Sequence, residues 1–101
     1  MEVITNTQDN VTTAQLIGRL DTPASQEISG DFESLIKLAD GTVILDCSQL
    51  EYISSSGLRL FLSLRKAAAS KGGKVIVKAI NNDIRSVFMM TGFLNLFEIQ
   101  N

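Results

Sequence analysis

The chain has 101 residues, 45% of them hydrophobic and 20% charged, enough apolar content for one ordinary core and too much for a disordered segment. Nine Lys and Arg against eleven Asp and Glu leave a formal charge of −2, so there is no cationic excess to bind a nucleic acid backbone. With no histidine and a single cysteine, Ser-His and Cys-His nucleophile pairs, the usual zinc sites and an intramolecular disulfide are all excluded. No apolar run approaches about 18 residues, and Met1 to Thr5 does not read as a signal peptide. A cytoplasmic protein without membrane contact is therefore expected.

Residues 2–7 and 11–18 read as two strands joined around Gln8-Asp9-Asn10, with Asp9-Asn10 as a hairpin turn. Thr22 is placed to cap a helix whose first position is Pro23. Ile28, Phe32, Leu35, Ile36 and Ala39 continue it at helical spacing to Asp40-Gly41. Thr42 to Asp46 is a short, nearly all-apolar strand, the kind usually buried on both faces. A second helix is expected over 57–71, stopped by Gly72-Gly73, and Lys74 to Lys78 form another central strand. Asn82 or Asn81 can cap a third helix over 83–91, ended by Gly92, with a last strand over 96–99. The order β-β-α-β-α-β-α-β predicts an α/β domain, residues 1–101, with a mixed sheet.

The helix over 57–71 is unusually apolar. At 100° per residue, Arg59, Ser63, Lys66 and Ser70 cluster within about 60°, and most other positions are hydrophobic. The helix is packed on most sides, or Leu60 and Leu62 flank a partner surface. Arg65 can lay its stem on apolar surface with its head in water.

The stretch EYISSSGLRLFL, residues 51–62, puts Ser54, Ser55 and Ser56 at the mouth of that helix. One serine suffices as a cap, worth about 1 kcal/mol. A helix N-terminus also tolerates a phosphoryl group, through free N–H donors and the positive end of the dipole. Such a group adds roughly −1.5 to −2 charges, which the fold would barely notice and a docked partner would.

The run VILDCSQLEYISSSGLRLF, residues 43–61, resembles the signature of STAS domains, specifically bacterial anti-sigma factor antagonists. That signature is a buried strand ending in Asp-x-Ser, an aromatic and an aliphatic residue, a serine pair or Ser-Ala, then Gly-Leu. GRLDTPAS, residues 18–25, is similar to the family's loop before its first helix, and FMMTGFLNLFEI, residues 88–99, to its closing helix, turn and strand. The resemblance implies a four- to five-stranded sheet flanked by helices, and a binding module rather than an enzyme. Such a module binds an anti-sigma factor that is also its serine kinase, is released by phosphorylation, and is restored by a serine phosphatase. The phosphoacceptor position falls on Ser55. Asp21 matches a loop acid near the acceptor, and Ser54, Ser56, Gly57, Arg59 and Ser63 are expected around the same partner-binding surface, with Gly57 allowing close approach of a partner backbone. Many members carry Asp where this chain has Ser54, which leaves Ser54 as a competing acceptor. Many also continue into a further helix beyond the last strand, so an uncovered surface or a minimal form is expected. The alternative within the family is a subunit of a lipid- or anion-transport complex, binding a transporter protein or a nucleotide without phosphorylation.

No cofactor or metal is expected. Lys71-Gly72-Gly73-Lys74 reads as a helix stop, because no Gly-rich loop runs into Lys-Ser/Thr. Cys47, beside an apolar strand, reads as a small buried residue rather than a redox switch. Asp46 and Ser48 are expected to organise the turn after the strand.

Overall fold

The computed structural model describes residues 1–101. Strands β1 (Glu2–Gln8) and β2 (Val11–Leu20) form the expected hairpin. Asp9 and Asn10 both have positive φ, 52° and 67°, as a two-residue turn with the right twist requires. Helices α1 (Thr22–Glu27) and α2 (Ser29–Lys37) lead to β3 (Thr42–Ile53). Helix α3 (Ser55–Lys71), strand β4 (Lys74–Lys78) and helix α4 (Asn82–Thr91) follow. A 3-10 turn over Phe93–Asn95 precedes the last strand, β5 (Glu98–Gln100). The sheet order is β1-β2-β3-β4-β5, antiparallel at β1 and parallel elsewhere.

Several expectations need correction. The single helix through residue 39 is two, divided at Ile28 (φ −100°, ψ 8°). Ser29-Gly30 follows directly, and Gly/Ser pairs are common kink sites. Its cap is Asp21, not Thr22: the carboxylate accepts the Ala24 N–H at 2.9 Å, and Thr22 is already helical. Finally, β3 does not stop at Asp46. It continues to Ile53 through two irregularities, each inserting an extra β3 residue opposite β2. Those insertions break the apolar alternation, so the strand's second half does not look like one.

The helices cover one face of the sheet, although Ile76 of β4, on the other face, is also buried. Val43, Leu45 and Cys47 of β3 and Val75 and Val77 of β4 join apolar residues from all four helices in one cluster. Each parallel crossover steps one strand in the same direction, and right-handed crossovers of that kind put every helix on the same side. Ile44, between Val43 and Leu45, is therefore only half-buried and lies outside the cluster, against the expectation that this strand is buried on both faces. All five phenylalanines are core residues. Phe61 of α3 sits at the centre, stacked on Phe32 at 5.9 Å and edge-on to Phe88 at 6.2 Å, which fixes how α3 seats on the sheet.

Candidate functional site

The C-terminal ends of the parallel strands gather three helix N-termini. Leu20 pairs with Ile53, and the Ser54 N–H donates to the Leu20 carbonyl at 2.9 Å. The chain therefore leaves β2 into α1 and β3 into α3 at neighbouring points, with Asp21 and Ser54 as the respective caps. The third start is α4, capped by Asn81, whose side-chain Oδ1 accepts the Ile84 N–H at 2.8 Å. The Asn81 amide donates to the Leu50 and Glu51 carbonyls at 3.2 and 3.5 Å, tying α4 to the end of β3.

The three serines have separate environments. Ser54 is 8% exposed, and its Oγ accepts the Gly57 N–H at 3.2 Å. Ser55 is the first helical residue of α3 and is exposed. Ser56 is half-buried. Arg59 and Ser63 follow Ser55 at four-residue steps and are exposed, so the three line one face of α3.

One residue expected at a partner surface faces inward, and another is partly engaged within the fold. Gly57 is buried, and a Cβ there would lie 2.7 Å from Leu20 and 2.9 Å from Ile53. It allows close approach by the sheet's own side chains, not by a partner backbone. Asp21 is half-buried with one carboxylate oxygen engaged as the α1 cap. Leu60 and Leu62 are half-buried and packed against the core, which accounts for the narrow polar face of α3. The Arg65 Nε donates to the Leu96 carbonyl.

Sequence reading missed a neighbouring feature. The Arg19 guanidinium lies 4.6 Å from the centre of the Tyr52 ring. Both help line a cavity of about 150 Å3 with Glu51, Asp83, Ile84 and Val87. The signal was available only once β2 and β3 were extended through their irregularities, because Arg19 and Tyr52 are partners in that register.

Cys47 is 1% exposed, and burial, with the nearby Asp46 carboxylate, pushes its thiol up to about 12. Such a thiol is unreactive at neutral pH. Asp46 accepts the Ser48 N–H at 3.0 Å, holding the first of the β3 irregularities.

The sequence model of the STAS domain matches residues 2–101. The chain belongs to the STAS domain family. A Bordetella bronchiseptica protein named as an anti-sigma factor antagonist, BtrV, is 28% identical over 93 residues, covering 92% of this chain and 80% of that one. A Thermotoga maritima structure described as an anti-sigma factor antagonist has a TM-score of 0.89 at 18% identity, covering 98% of this STAS domain and 86% of its own chain. The Bacillus protein SpoIIAA, solved in its phosphorylated form, has a TM-score of 0.75 at 20% identity, covering 99% and 92%. A sulfate transporter family protein from Wolinella succinogenes has the same fold at 10% identity, with a TM-score of 0.76 over 92% and 78% of the two chains. No helix of this STAS domain is long and apolar enough to cross a membrane.

Proposed function

We propose that this STAS domain is an anti-sigma factor antagonist switched by phosphorylation of Ser55. In the unphosphorylated state it binds an anti-sigma factor with serine kinase activity. The observation that carries this reading is the contrast between adjacent hydroxyls. Ser54 is buried and engaged as the cap, whereas Ser55 is exposed at the first position of α3. The name of the Bordetella relative and the phosphorylated form of the Bacillus neighbour support the same reading.

In the switching step the Ser55 Oγ attacks the γ-phosphorus of ATP bound to the partner. The P–O bond to ADP breaks, and the hydroxyl proton passes to a base on the kinase. The product carries roughly −1.5 to −2 charges at a position that held an uncharged hydroxyl when docked. The positive end of α3 accommodates that charge, so the fold is kept. At the interface it is buried without a partner, at a cost of about 3–5 kcal/mol, and affinity falls by about 100-fold or more. A serine phosphatase hydrolyses the ester and returns the hydroxyl. Arg59 and Ser63, on the same face, contribute to docking, with Ser56 at its edge.

Incubation with ATP and the cognate kinase, followed by peptide mass spectrometry, tests this. One phosphate on Ser55, lost in Ser55→Ala and retained in Ser54→Ala, is the expected result. A phosphate on Ser54 or Ser56, or none, would refute it. A transport-complex subunit is the second reading; its support here is the shared fold of the Wolinella protein.

A further inference from the structure

The two edges of the sheet differ. On one side β5 is three residues long and charged, with Glu98 paired to Lys74 at 3.6 Å. Short, charged edge strands resist pairing with other chains. On the other side β1 runs for seven residues, almost wholly exposed, with no proline, lysine or bulge. An edge of that kind is a template for another strand.

The hairpin shows which groups of β1 are free. A two-residue turn makes Gln8 and Val11 exchange both backbone hydrogen bonds. Alternation then turns the N–H and C=O groups of Val3, Thr5 and Thr7 outward, to the open edge. Ile4 lies between them. It is 47% exposed and belongs to the face without helices, because its β2 partner is Gln15.

We infer that β1 pairs antiparallel with β1 of a second copy of this chain, about a two-fold axis at Ile4. Val3 then exchanges both bonds with Thr5 of the second copy, and Thr5 with its Val3. Ile4 meets Ile4 of the second copy in the closely spaced, non-hydrogen-bonded position, where facing side chains touch. Glu2, the only charge on β1, faces Asn6, so no like charges meet. This self-complementarity favours a second copy over an unrelated strand. The outcome is a ten-stranded sheet, with the Ser55 end of each copy left free.

The contact is small, and small interfaces are weak. Sedimentation equilibrium up to about 1 mM covers that range. The wild type is expected to reach twice the 11.0 kDa of one chain. Ile4→Lys is expected to weaken association about tenfold or more at an unchanged unfolding midpoint, since like charges would face each other. In the register given, Ile4→Cys forms a disulfide between copies with an added disulfide oxidant, the facing Cα atoms lying within bonding range. Gln8→Cys does not, and the buried Cys47 does not interfere. A wild type that stays monomeric throughout, an Ile4→Lys variant that dimerises as tightly as the wild type, or equal cross-linking of the two cysteine variants would overturn the inference. So would a monomer whose β1 is taken up by a different protein. None of these outcomes bears on Ser55.

Discussion

The buried Oγ of Ser54 accepts the Gly57 N–H at 3.2 Å, while the next residue, Ser55, lies exposed. One helix start thus divides the labour of capping and of presenting a hydroxyl between adjacent serines. Ser54→Ala removes the cap and leaves the Gly57 N–H unpaired. Unfolding free energy is expected to fall by about 0.5–2 kcal/mol. For a domain this size that lowers the midpoint by about 4–8 °C per kcal/mol. Thermal unfolding by circular dichroism measures it, and a midpoint equal to wild type would mean the cap contributes nothing.

Gly57→Ala sets two effects against each other. Alanine gains about 0.5–1 kcal/mol over glycine inside a helix. Here the added methyl meets Leu20 and Ile53 at under 3.0 Å, both in the core, and overpacking costs about 1–3 kcal/mol. Overpacking outweighs the helix preference, so the variant should be less stable by about 1 kcal/mol. Chemical denaturation resolves that difference, and a stabilised variant would show that the sheet end yields easily.

Cys47 gives a pH dependence with a definite sign. Its folded thiol is raised from 9.0 to about 12, first by burial and then by Asp46. The folded protein therefore holds this proton more tightly than the unfolded chain. The resulting stability is fully present below pH 9 and is lost as pH rises toward 12. Denaturation curves across that window should show a decline of up to about 1.4 kcal/mol per pH unit that Cys47→Ala lacks. A thiol reagent should label Cys47 at neutral pH only after denaturant is added. Fast labelling of the native protein would contradict the burial.

Strand β4 and the turn at Asp9-Asn10 were legible because their signals are local: a short apolar run between Gly73 and the following loop, and two residues that tolerate positive φ. Helix α3 ends at Gly72, in the left-handed conformation, for the same reason. What was not legible depends on partners far along the chain. Ser48 to Tyr52 look like a loop, and become strand only because β2 runs beside them with a different residue count. Thr22 and Asp21 can both act as caps, and the extra length of β2 goes with the choice of Asp21. An all-apolar strand reads alike whether one or both faces are covered, so the open side of Ile44 was invisible. At the site, position 55 stands out only through a resemblance. Nothing local distinguishes the buried Ser54 from the exposed Ser55, or shows that Gly57 faces inward.

The central claim is that a charge on Ser55 blocks docking while the fold stays intact. Its most direct test is calorimetric titration of the cognate anti-sigma factor with wild type and Ser55→Asp, alongside their unfolding midpoints. The account predicts binding weakened by about tenfold or more, with midpoints within a few degrees of each other. Equal binding by the two proteins would contradict it.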